Sequence, residues 1–164
     1  CKITRFCEKC PSLVRSIPNI LSFFNERVKI IHLVRDGRDV LTSRHPSRPD
    51  QYWVPIDRWV NDVRAGLEHS AHPCVYTVKY EDLIGDTTQT LRGIFAFIGE
   101  QWSEDLIDWH EKTSIRKSNA WFGSLQKVHA SSLHKWKKEE NRSRLDHIMA
   151  DTRVVSLLER LNYL

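Results

Sequence analysis

Glycine is scarce in this sequence and never clustered. The six glycines stand at positions 37, 66, 85, 93, 99 and 123, and none belongs to a Gly-rich run followed by Lys and Ser or Thr, so the chain carries no phosphate-cradling loop of that type. Proline, also six, is too thin for a collagen-like or low-complexity chain. The four cysteines are Cys1, Cys7, Cys10 and Cys74. Their one close pair, Cys7-Glu-Lys-Cys10, has no second pair at zinc spacing. A chain of this length also has no need of the disulfide framework of a small secreted protein, so the thiols read as reduced and mostly buried. No apolar run approaches the roughly 20 residues that cross a bilayer, and no charged-then-apolar leader opens the chain. An initiator Met is missing as well; the abrupt start at Cys1-Lys-Ile-Thr-Arg-Phe reads as the interior of a longer protein.

What is present fits one folded domain. The 164 residues suffice for a single α/β domain spanning 1–164, and 40% hydrophobic with 28% charged residues is ordinary globular usage. The formal charge of +4 predicts a basic site for a small anion and falls short of a dedicated nucleic-acid binder. His69, His72, His129 and His134 lack a carboxylate or third ligand in pattern and read as solvated, which leaves no metal site. The six tryptophans are dispersed and read as core or interface fillers.

The periodicity alternates helix and strand. Leu13, Val14, Ile17, Ile20, Leu21 and Phe24 predict a helix over 11–24, perturbed near Pro18. The short apolar run Val28 to Val34 predicts a strand buried on both faces and central in a parallel sheet. Helix is expected over 38–44, followed by a Pro-containing loop of about ten residues, then an amphipathic helix carrying Ile56, Trp59, Val60, Val63 and Leu67. Cys74 to Lys79 reads as a second strand, parallel to the first either directly or across an intervening strand. Beyond it come a helix over 87–98 ending at Gly99, a shorter one over 102–110, a loop over 111–130 and a helical tail over 131–164.

The segment Leu33-Val-Arg-Asp-Gly-Arg-Asp-Val-Leu-Thr-Ser43 puts a charged cluster where a buried strand emerges at its carboxyl end, the place where open α/β sheets bind ligands. Arg35 offers a planar fork suited to phosphate oxygens, Ser43 a hydroxyl, and the intervening helix its N-terminal N–H groups. By spacing alone, an Arg–Asp salt-bridge network capping the strand explains the same residues equally well.

The same segment closely resembles the 3′-phosphate-binding stretch of PAPS-dependent sulfotransferases, in which an Arg and a Ser eight positions later hold the 3′-phosphate of 3′-phosphoadenosine-5′-phosphosulfate (PAPS). Arg35 and Ser43 keep that interval. Val78-Lys-Tyr-Glu-Asp-Leu83 and the helix after it resemble the family's strand-Tyr-Glu-Asp-Leu stretch, which implies that Tyr80 lies by the adenine. Ser131-Ser-Leu-His-Lys-Trp-Lys137 is similar to the family's basic-Trp motif and makes Lys135 the basic residue that reaches the nucleotide. The ending Leu161-Asn-Tyr-Leu164 resembles that of tyrosylprotein and bacterial sulfotransferases. Three landmarks in family order over about 130 residues are far more specific together than singly.

Two catalytic residues follow from the resemblance. Lys9, in Cys7-Glu-Lys-Cys-Pro11, matches the Lys of the family's Lys-X-Pro segment that stabilises charge at the transferring group, and Ser124 matches a serine at the sulfuryl region, although the loop before Lys135 is shorter here. The resemblance implies a P-loop nucleotide-kinase-like, three-layer α/β fold with a central parallel sheet, lacking its first strand and phosphate loop, as the carboxyl-terminal two-thirds of the enzyme. It implies sulfuryl transfer from PAPS, leaving the desulfated nucleotide PAP, to a hydroxyl or amine acceptor, with no metal and with neither phosphate loop nor catalytic base in this chain. The 164 residues alone are then expected to be inactive. The acceptor stays open among carbohydrate, protein tyrosine, lipid and small phenol, as does a homodimer. The expected compartment is cytoplasm, or Golgi lumen if an upstream region carries an anchor. A non-catalytic nucleotide-binding relative, a nucleotide kinase and a basic interaction domain are the alternatives.

Overall fold

The computed structural model describes residues 5–45, 47–112 and 130–164. Among the described residues, two strands form the parallel sheet at the centre of the fold. Strand β1 (Ile30–Val34) pairs in parallel with β4 (Val75–Lys79), Ile30 opposite Val75 through Val34 opposite Lys79. Between them the chain makes helix α2 (Gly37–Thr42), a short antiparallel hairpin of β2 (Arg44–His45) with β3 (Arg48–Tyr52), and helix α3 (Ile56–Leu67). The hairpin was not expected from the prolines. Pro49 sits in β3, a strand of a two-stranded ribbon with one unpaired side, the kind of edge to which proline in a sheet is confined.

Paired residues of parallel strands share a face, so Ile30, His32, Val34, Val75, Thr77 and Lys79 point one way, and Ile31, Leu33, Tyr76 and Val78 the other. The first face meets α3. A Cβ on Gly66 would lie 2.1 Å from the His32 ring, so the helix and strand approach this closely only because residue 66 has no side chain. On this side Val34, Leu41, Trp59, Val60 and Val63 build the core with residues of the carboxyl-terminal helices α7 (Arg142–Met149) and α8 (Thr152–Arg160), among them Ile148, Val154, Leu157 and Leu158. Gly37 serves α2 as Gly66 serves α3: its absent Cβ leaves room for the Trp59 ring, 2.5 Å from where that carbon would stand.

The second face is covered by helix α5 (Thr87–Ile98), whose Phe97 stacks on Tyr76 at 5.2 Å, but only over β4. Ile31 and Leu33 are 42% and 52% exposed. The expectation of a strand buried on both faces and flanked on both sides therefore fails for β1, which has one strand neighbour and one covered face among the described residues. Its nearly continuous apolar sequence reports what the residues can bury, and that depends on neighbours the run itself does not specify.

Other departures are local. The 11–24 helix is a 3-10 segment, Pro11–Ser16, that becomes α-helical as α1 (Ile17–Phe24), with Pro18 in the first α turn. A short helix α4 (Tyr80–Gly85) follows β4 directly, and the segment 102–110 divides into a 3-10 turn, Glu104–Leu106, and the start of α6 (Trp109–Lys112). The tail begins as three 3-10 turns, Ala130–Ser132, Lys135–Lys137 and Glu139–Asn141, before α7. Cys74 is buried, but Cys7 and Cys10 are exposed thiols, contrary to the expected burial, because their segment precedes the first helical turn and has no core to enter.

Candidate nucleotide-binding site

The chain leaves β1 at Val34 and turns into α2 through Arg35 and Asp36. Asp36 caps the helix by accepting from the Arg38 N–H at 2.9 Å, and its own N–H donates to Glu81 Oε1 of α4 at 3.0 Å, which ties the ends of the two strands together. One of the helix-terminal N–H groups foreseen for an anion is thus already used by the cap. Arg38 is also committed internally: it forks onto Asp36 with contacts of 3.0 and 2.8 Å, donates to the Tyr163 carbonyl at 2.9 Å, and stacks over Trp136 at 4.1 Å. The salt-bridge network and the candidate site therefore coexist, with Arg38 serving the first.

Arg35 differs. It stacks over the Tyr80 ring at 4.7 Å, and one terminal nitrogen donates to Asp39 Oδ2 at 3.3 Å and to the Ser132 carbonyl. Its Nε is buried without a hydrogen-bond partner among the described residues. Ser43, at the carboxyl end of α2, donates its hydroxyl to the Asp39 carbonyl at 2.7 Å and lines a cleft of about 640 Å3 together with Arg44, Lys135 and Lys138. Asp50 and Glu140 also reach this cleft. Lys135 is exposed, in a turn held from beneath: the carboxylate of Asp39 accepts from the His134 N–H at 2.8 Å and the Trp136 N–H at 3.1 Å, and Asn141 Nδ2 donates to the Lys135 carbonyl at 2.9 Å.

Of the residues singled out in the sequence, the structure thus brings Arg35 against Tyr80 and Ser43 beside Lys135, with Asp39 joining the two pairs. Lys9 does not enter this cluster; it is exposed in the irregular segment before Pro11 and makes no hydrogen bond or ion pair to the four. Ser124 lies outside the described residues. Arg44 and Lys138 join the cleft, and Asp39 and Asn141 support it through contacts to backbone groups of the 134–136 turn, which no local sequence pattern marks. A second cleft, about 540 Å3 between β4, α4 and α5, is lined by Glu81, Asp82 and Asp86 and by no Lys or Arg, so its field opposes an anionic ligand.

The sulfotransferase family model matches residues 2–104, which include Lys9, Arg35, Ser43 and Tyr80. Rat sulfotransferase 2A6 is 29% identical over 62% of this chain and 43% of its own length. Carbohydrate sulfotransferase 3 of Tetronarce californica is 27% identical over 70% of this chain and 31% of its own. This chain thus spans less than half the length of these relatives. A solved sulfotransferase domain from the curacin biosynthetic pathway superposes with a TM-score of 0.58 at 19% identity, over 96% of this chain and 62% of that domain, and shares the α/β fold. With more than half of its residues matched by the family model, the chain belongs to the sulfotransferase family.

Proposed function

We propose that this chain forms the 3′-phosphate and adenine side of a PAPS site, in a protein that transfers a sulfuryl group from PAPS to a hydroxyl or amine acceptor. The observation that carries this reading is the convergence of Arg35, Ser43 and the Lys135 turn on one buried residue, Asp39, where β1 ends. The residues suit the ligand. Arg35 has a buried, unpartnered Nε to offer, Tyr80 gives the guanidinium and a base a flat apolar surface, and Lys135 adds an exposed cation beside Ser43. Ser43 would have to leave the Asp39 carbonyl to meet a phosphate. That exchange is favourable, because a neutral hydrogen bond contributes about 0.5–1.5 kcal/mol and one to a charged acceptor about 1.5–3 kcal/mol.

Sulfuryl transfer resembles phosphoryl transfer: an acceptor oxygen or nitrogen attacks in line as PAP leaves, and catalysis comes mainly from positioning and charge stabilisation. Arg35, Ser43, Tyr80 and Lys135 supply the positioning in this reading. Lys9 and Ser124 are proposed to meet the transferring group, and no residue of this chain is assigned as the base that takes the acceptor's proton.

Calorimetric titration of the full-length protein with PAP tests the donor site. Wild type is expected to bind, Arg35→Ala to weaken binding about 100-fold and Ser43→Ala about tenfold, in line with a lost charged and a lost single hydrogen-bonding group. Wild-type protein that ignores PAP, or variants that bind as wild type does, would remove the basis of the assignment.

A further inference from the structure

Resting on that donor-site reading, we propose that Asp39 is the positioning residue of the site: its carboxylate sets the His134–Trp136 turn so that Lys135 is presented to the same anionic ligand as Arg35 and Ser43. Asp39 is 1% exposed, one turn after Arg35 and one turn before Ser43 on α2. It touches every part of the proposed phosphate grip. Oδ2 accepts from Arg35 and from the His134 N–H, Oδ1 accepts from the Trp136 N–H, and its carbonyl accepts from Ser43 Oγ. A carboxylate holding two N–H groups two residues apart constrains the residue between them, and that residue is Lys135.

The turn needs such a constraint. His134 has φ of 58°, a left-handed conformation that non-glycine residues enter only when surroundings enforce it. Asp39 from below, Asn141 on the Lys135 carbonyl and Arg38 stacked on Trp136 are the enforcing contacts. The negative charge of Asp39 does not repel the ligand into solvent, since it is buried and answered by Arg35 and two backbone donors. An Asn at this position has one acceptor oxygen where the carboxylate has two, and its NH2 would confront a backbone N–H, so one of the two amides is released.

The test combines a double-mutant cycle with amide hydrogen exchange in the full-length protein. PAP affinity is measured for wild type, Asp39→Asn, Lys135→Ala and the double variant. Asp39→Asn is expected to weaken binding about tenfold in the wild-type background and to change nothing once Lys135 is gone, the mark of residues acting as one unit. One of the two amides, of His134 or of Trp136, is expected to exchange faster in Asp39→Asn, measured against the amides of β1 and β4 in the same protein. Should that variant not fold, Asp39→Glu, which keeps the charge but displaces the carboxylate, is expected to release one or both of these amides. An equal loss of affinity in both backgrounds would mean that Asp39 acts through Arg35 or the fold at large, and would overturn the proposal, as would unchanged exchange at both amides. Wild-type protein that does not bind PAP overturns the donor-site reading and this one with it; wild-type binding with uncoupled variants overturns this one alone.

Discussion

His32 sits in the middle of β1 on the face packed against α3, and its Nδ1 is buried without a partner among the described residues. Burial holds its pKa below the ordinary histidine value of 6.5, because the imidazolium would have to give up water with no carboxylate in return. The sign follows from linkage. The unfolded chain binds this proton more readily than the folded one, so the stability His32 permits is complete above about pH 6.5 and is lost as the pH falls through the lower folded value. Urea unfolding at pH 8 and pH 5.5 is therefore expected to show lower stability at the acid value, and the difference is expected to shrink in His32→Asn. An equal pH dependence in the variant would assign the effect to other groups. The same residue shows where reading single positions ends: His32 was one polar residue in an apolar run, and its environment comes from Gly66, 34 positions away in α3.

Helix α8 is an element whose ends and face both matter. Asp151 caps it, its carboxylate accepting from the Arg153 N–H at 3.0 Å, and the Arg153 side chain on the same carboxylate holds the Asp151 pKa down to about 2. The helix delivers Val154, Leu157 and Leu158 to the core, so a frayed first turn reaches the packing around α3. Asp151→Ala is expected to cost about 1 kcal/mol, seen as a lower urea midpoint at neutral pH. Because the folded pKa is depressed, this contribution is present above about pH 4 and disappears as the pH falls through 2, so wild type and variant should converge in acid. The apolar spacing of α8, of α3 and of α5 was legible in the sequence, since each helix faces a single apolar surface. The β2–β3 hairpin and the 3-10 turns of 130–141 were not, because they are held by contacts such as Trp53 N–H to the Ser43 carbonyl and Asp39 to the Trp136 N–H rather than by any pattern of their own.

For the molecule as a whole, Tyr163 closes the carboxyl ends of the two paired strands. Tyr163 donates its hydroxyl to Glu81 Oε2 at 2.5 Å, its carbonyl accepts from Arg38, and Lys79 lies over its ring at 4.7 Å, so the last residues join both strand ends. Burial, followed by the hydrogen bond to Glu81, raises the Tyr163 pKa and keeps the hydroxyl protonated as a donor. Removing that donor leaves a part-buried carboxylate oxygen unpaired. Tyr163→Phe is therefore expected to lower unfolding stability by about 1–3 kcal/mol, and an unchanged denaturant midpoint would show that water replaces the hydroxyl at no cost.

The sequence by itself determined the strand–helix–strand path, the apolar faces of the longer helices, and the Arg35 to Ser43 interval with its family resemblance. All of these depend on residues near one another in the chain, where period and spacing act directly. The tertiary structure alone decided which face of β1 is covered and which arginine is spent on the fold. It also showed that Asp39 joins Arg35 to a turn 95 residues further on. Those outcomes turn on burial and on which donors meet which acceptors across segments, and both are properties of the packed molecule.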